Sequence, residues 1–202
     1  MGSSAAEPEV PKIPGYAYGS PESAHSPLIE SDVRELEKTI GWTEEDAALL
    51  RQHGDLFCEQ AEAMVDSWRA IIASQPHLAH WFNGPYERPD DEYKARVKPR
   101  FVQWVIDTAT RPHDQAWLDY QEEIGLRHTP AKKNSADERH TPPMVPLRFL
   151  LGFLPAVTDI RRFLEGRIAE EATLQAIKRA WYKAVLIEVV LWTRPYTREG
   201  LW

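Results

Sequence analysis

Residues 114–128, Asp114-Gln-Ala-Trp-Leu-Asp-Tyr-Gln-Glu-Glu-Ile-Gly-Leu-Arg-His128, form an amphipathic stretch that ends in a histidine. Pro112 and Asp114 open it as a helix, and Thr129–Pro130 closes it just past the histidine. At about 100° per residue, Trp117, Gln121, Ile124 and His128 fall within roughly 60° of one another. His128 therefore faces the way the apolar residues face, into the interior. Two readings are open. A lone histidine on an apolar face is commonly a core residue hydrogen-bonded to backbone. An imidazole at a helix end facing an apolar slot is also what axial ligation of a haem iron requires.

The remaining chain supplies helices to build such a slot. Ser31 or Asp32 is expected to cap a short helix with Val33, Leu36 and Ile40 on one face, stopped near Gly41. Thr43–Asp46 (TEED) matches a capping box, and Gly54 is expected to bend or break the helix beyond it. Phe57, Ala61, Met64, Val65, Trp68, Ile71 and Ile72 have the spacing of a buried helical stripe, ended by Pro76. His77–Phe82 fits a short helix, and the NGPYERPDD stretch after it a loop. From Asp90 the stripe is Tyr93, Val97, Phe101, Trp104, Val105 and Thr108, with Pro99 expected to kink the axis. Pro130–Pro143 reads as a polar loop carrying the basic pair Lys132–Lys133. Met144–Arg161 is apolar nearly all round and predicts one buried helix; Thr173–Trp192 predicts the last. The pattern is all-α, about eight helices, with no alternation that would suggest a sheet.

Composition narrows the function. The 202 residues suit one domain, and a formal charge of −7, from 31 acidic and 24 basic residues, argues against nucleic acid as a partner. No window resembles a transmembrane span or secretory signal, so a cytoplasmic location is expected. The single cysteine, Cys58, excludes an internal disulfide and any multi-cysteine metal site, and its place near the line of Val65 and Ile72 predicts burial. Eight tryptophans suit a wide apolar cavity or a tryptophan-rich core. His77 and His80 lack a matching third ligand and read as surface residues. Glu188, inside AVLIEVVLW, reads as a flanking or subunit-contact carboxylate. No phosphate-loop, dinucleotide, HExxH or nucleophile-elbow pattern occurs. Residues 1–27 are rich in Pro, Gly, Ser and Ala, yet Lys12–Gly19 (KIPGYAYG) is too apolar for a solvated tail. Residues 1–27 are expected to lie as a strap over a domain spanning 28–202.

KIPGYAYG, then DQAWLDYQEEIGLRH followed by KKN, and the closing AWYKAVLIEVVLW together resemble the protoglobins, single-domain relatives of the sensor globins. The resemblance covers the chain from about Lys12 to its C-terminus. It implies a globin-like fold with an extra N-terminal helix and strap, a deeply buried haem b, ligand tunnels and helix-mediated dimers. It places the proximal iron ligand on His128. It puts Trp68, Phe82, Val97, Phe101 and Phe153 around the haem. Val97 stands where many globins carry a distal histidine, and it cannot hydrogen-bond a ligand. The family pattern has Trp-Tyr where this chain has Trp68-Arg69, so a tyrosine donor is missing.

The expected function is reversible binding of dioxygen, carbon monoxide or nitric oxide at a five-coordinate iron. The second nitrogen of His128 should be held by a carbonyl or carboxylate. Arg100, beside Phe101, is the candidate partner for a haem propionate, and Tyr16 and Tyr18 are candidates to cap that edge. Arg69 stands roughly 40° from Val65 on its helix and is expected to run along the pocket rim, leaving Trp68 as the main distal gate. A haem enzyme acting on nitric oxide, nitrite, peroxide or artificial carbene donors is the second class, and would need a distal group that moves protons. A haem-free regulatory module is the third, and would lack a ligating histidine. No output domain is expected after the last helix, and signalling is expected to pass through a partner. A homodimer is expected through the last two long helices.

Overall fold

Side chains cap three of the α-helices among the described residues, at Thr43, Asp90 and Asp114. The computed structural model describes residues 13–198, 200 and 202; residues 1–12, including Lys12 at the head of the expected strap motif, lie outside the described residues. The helices are α1 (Glu30–Ile40), α2 (Glu44–Gln52), α3 (Gly54–Ser74), α4 (Pro76–Ala79), α5 (Asp91–Thr110), α6 (Gln115–Leu126), α7 (Leu147–Gly152), α8 (Leu154–Thr158), α9 (Arg161–Leu164) and α10 (Glu171–Thr193). Among the described residues there is no strand, only the isolated bridges Asn83–Pro89 and Glu165–Ile168. The fold is all-α and globin-like.

Thr43 and Asp46 form the expected capping box: the Asp46 amide donates to the Thr43 hydroxyl at 3.3 Å, and the Thr43 amide to Asp46 at 3.0 Å. At α1 the cap differs from expectation. The helix starts at Glu30, and Asp32 acts from inside the first turn by accepting the Ile29 amide at 2.9 Å. The helical run breaks at His53, beside Gly54 as expected, and Gly54 begins α3. The helix α5 runs on through Pro99.

The largest departure is the apolar run 144–161, which is three short helices instead of one. Pro155 has no amide hydrogen, and its ring would collide with the carbonyl of Leu151 in a continuous helix. The break sends Phe153 and Val157 toward the core while Leu151 stays 44 % exposed. Cys58 is exposed, not buried, because the face of α3 at that level is open.

The main core packs α3, α5 and α10. Phe57 stacks on Trp181 at 5.0 Å, and Trp104 meets Trp181 at 6.1 Å and Trp192 at 5.7 Å. A second cluster, Val33, Trp117, Leu118, Ile187 and Leu191, seals α1 against α6 and α10. No helix among the described residues is long and apolar enough to cross a membrane.

The segment from Ile13 to Pro27 is fastened along α6. Ala24 and Ser26 donate their amides to Glu123 and Asp119, each at 2.9 Å. The Arg127 guanidinium donates to the Gly15 carbonyl at 2.6 Å. These α6 residues are spaced by four, so they share one face of the helix. Tyr16 donates to Asp107 at 2.6 Å, and the rings of Tyr16 and Tyr18 pack on Tyr120 at 5.2 and 5.6 Å.

Candidate functional site

The end of α6 opens on a cavity of about 260 Å³. One ordered water needs roughly 10–15 Å³ by the same measure, so this is a chamber and not a packing defect. Its wall is drawn from α3 through α10 and is mostly apolar: Ile72, Phe82, Val97, Phe101, Phe153 and Trp192 are representative.

Asp114 caps the start of α6 by accepting the Trp117 amide at 2.9 Å, a contact worth about 1 kcal/mol in typical helices. The helix ends at Leu126, two residues before His128, but the His128 amide still reaches the Gly125 carbonyl at 3.1 Å. The carbonyl of His128 accepts from the Val145 amide at 2.8 Å, and the Tyr196 hydroxyl, 3.0 Å from it, donates to its nearer acceptor, the Val145 carbonyl, at 2.6 Å. Its ring stacks on Trp192 with centroids 5.8 Å apart. Backbone and ring are therefore both held.

His128 Nδ1 lies 2.8 Å from the Ile124 carbonyl. A carbonyl only accepts, so Nδ1 carries the hydrogen and Nε2 keeps a lone pair. Burial pushes the imidazole down to about 4, against the pull of the Ile124 bond, and Lys133 and Arg127 push the same way. The ring is neutral at pH 7, as ligation of a metal requires.

Of the residues expected from the sequence, His128, Phe82, Val97, Arg100, Phe101 and Phe153 line this one cavity. Trp68 does not. It lies fully buried one layer back, 5.4 Å from Phe101 and 6.0 Å from Trp104, and Trp104 stands in the lining. Arg69 is outside the lining as well. His77 lies tilted against Phe149 with ring centroids 5.4 Å apart, and His80 pairs with Glu87 at 2.7 Å. No group of three or more potential metal ligands occurs among the described residues. Glu188, read from the sequence as a flanking carboxylate, is instead buried, with Trp104 and Thr108 as partners.

Charge gathers at one part of the wall. Arg100 makes a two-pronged pair with buried Asp137 at 2.6 and 3.0 Å and also donates to the Pro14 carbonyl at 2.9 Å. Arg127 and Lys132 share Glu123 at 2.8 and 2.6 Å. Lys133 differs from its neighbours. It is 5 % exposed and donates to the Trp81 carbonyl at 2.8 Å and the Thr141 hydroxyl at 2.7 Å, with no carboxylate partner among the described residues. Burial alone pushes its ammonium down to about 8. The four cations meet two carboxylates, which leaves an excess of two positive charges. In the sequence Lys133 is visible only as half of a basic pair; its burial depends on Trp81, 52 residues away.

A family model of the protoglobins matches residues 29–202. Among solved structures, the chain is similar to the globin domain of a Geobacter sulfurreducens globin-coupled sensor, with a TM-score of 0.65 and 14 % identity over 82 % of this chain and 97 % of that one. At that identity the likeness speaks for the fold. No curated protein sequence matches. With the helical architecture and the single histidine on an apolar chamber, the family match over most of its length establishes that the chain belongs to the protoglobin family.

Proposed function

We propose that this protein binds haem b through His128 Nε2 and takes up the diatomic gases dioxygen, carbon monoxide and nitric oxide. The observation that carries the reading is the tautomer of His128. Its Nδ1 hydrogen is committed to Ile124, and the ring is buried, neutral and on the wall of a large apolar chamber. When bound, haem supplies an iron with one position open to a gas molecule.

The residues fit the cofactor in charge as well as shape. Haem b carries two carboxylates; on the wall Arg100 and Arg127 are paired with Asp137 and Glu123 and Lys133 has no anion, and Lys132 just behind the wall brings the local excess to two positive charges. Lys133 is the natural propionate partner, since it has no anion of its own; Arg100 joins it from the Asp137 pair. Phe82, Val97, Phe101 and Phe153 keep water away and offer a bound gas no hydrogen bond. Arg69 is proposed to stay on the outside, and Trp68 to act through the Phe101 and Trp104 rings. Exposed Leu151 and Tyr182, on α7 and α10, support a homodimer through that side.

Absorption spectra of the haem-loaded protein test the assignment. Substituting His128→Ala should abolish or shift the Soret band and its response to carbon monoxide, and added imidazole should restore both. A variant with the wild-type spectrum would refute ligation by His128.

A further inference from the structure

Glu188 lies in the middle of α10 with 1 % of its surface exposed. It accepts the indole N–H of Trp104 at 2.6 Å, and both its oxygens lie 3.2 Å from the Thr108 hydroxyl. That hydroxyl has a single hydrogen, and the Trp104 carbonyl at 2.7 Å is its nearer acceptor. The Thr108 oxygen is then left to accept from Glu188, which requires a hydrogen on the carboxyl group.

The surroundings agree. No lysine, arginine or histidine pairs with Glu188 among the described residues. The charged group that weighs on it is Asp107 of α5, an anion held by Tyr16, Gln103 and Arg111. From α6 the indole N–H of Trp117 also reaches toward it, an uncharged donor that pulls the other way less strongly than burial pushes. A buried carboxylate with no cation is expensive, whereas a carboxylic acid with both partners satisfied is not.

We infer that Glu188 is carried as a neutral carboxylic acid and is the positioning residue for Trp104 in the cavity wall. Trp104 is the hub of that wall, 5.5 Å from Phe101 and 5.7 Å from Trp192, which in turn stacks on His128. Its one polar atom is tied to Glu188, so the acid fixes the ring that joins the histidine side of the chamber to the phenylalanine side. Burial pushes Glu188 up to about 8 and Asp107 adds to this, while the hydrogen bonds that Trp104, Thr108 and Trp117 would offer its ionised form pull it back. On ionisation both oxygens become acceptors. The Thr108 hydrogen is drawn off the Trp104 carbonyl toward the carboxylate, and a full charge comes to lie against the Trp104 indole, which changes the dichroism of that ring. The inference does not depend on haem.

Infrared and near-ultraviolet circular dichroism spectra between about pH 6 and about pH 9.5 bracket the transition, at least one unit to either side. The wild-type protein should show a carboxylic-acid carbonyl band that fades across the range, with a tryptophan dichroism change at the same midpoint. Glu188→Gln reproduces the acid at every pH, since its amide oxygen accepts from Trp104 and its NH2 donates to Thr108. It should lack the band and keep the wild-type low-pH dichroism throughout. Glu188→Leu should lose that dichroism at all pH values. Absence of the band from the wild-type protein at low pH would overturn the inference, and so would a pH transition retained in Glu188→Gln. If Glu188→Gln fails to fold, the wild-type band alone decides.

Discussion

Lys133 shows how a single side chain divides its effect between empty and loaded protein. A lysine with its pKa lowered from 10.5 to about 8 binds fewer protons folded than unfolded between those values. Its penalty is therefore fully present below about 8 and is relieved as pH rises toward 10.5, a change on the order of 3 kcal/mol. The haem-free protein should gain stability from this group between about pH 8 and about pH 9.5, and Lys133→Met should flatten that slope in denaturant titrations. In the loaded protein a propionate would supply the missing anion. Lys133→Met should then speed haem transfer to an acceptor globin by roughly tenfold to a hundredfold, the equivalent of one charge-assisted hydrogen bond of about 1.5–3 kcal/mol. Arg69, outside the lining, predicts the opposite pattern: Arg69→Leu should change dioxygen release by less than about tenfold, or 1.4 kcal/mol. A hundredfold acceleration with carbon monoxide unaffected would make it a distal donor after all.

Packing of whole elements depends on Gly125. A Cβ there would lie 3.2 Å from the Trp192 backbone and 3.1 Å from the Pro195 ring, so α6 and the end of α10 approach as closely as they do because the side chain is absent. Gly125→Val should cost about 1–3 kcal/mol in unfolding titrations by overpacking. It should also broaden the spectral signature of His128, three residues on. The α6 helix was legible in the sequence because cap, stripe and breaker agree within fifteen residues. The 144–161 run was not, since a segment apolar on every side has no period from which to place a break, and Pro155 decided it. Glu188 was opaque for another reason: its partners, Trp104 and Thr108, are 84 and 80 residues distant. Trp68 shares the apolar stripe of its helix, and helical phase alone does not distinguish a first layer from a second.

Among the described residues the large apolar side chains left exposed are Ile29, Tyr86, Leu151 at 44 %, Tyr182 at 46 % and Trp202, and of these Leu151 and Tyr182 stand on α7 and α10. If α7 and α10 meet a second copy, substituting both Leu151→Glu and Tyr182→Glu should shift sedimentation at micromolar concentration from dimer to monomer while the carbon monoxide spectrum stays unchanged. A wild-type protein that sediments only as monomer removes the proposal.

Arg100 and Arg127 both line the chamber and both grip carbonyls of the N-terminal segment, at Pro14 and Gly15. Gly15 makes the grip possible, with its left-handed backbone and no Cβ to strike the Arg100 guanidinium. The consequence is a coupling of events. If haem fills the chamber as proposed, seating it and laying the segment from Ile13 to Pro27 across α6 draw on the same two arginines, so exit of the cofactor is expected to be coupled to lifting of that segment. On that reading a gas molecule would face no such wait, and the lifetimes of cofactor and gas would answer to different parts of the chain, the first to peeling of the segment from Ile13 to Pro27 and the second to rings deep inside.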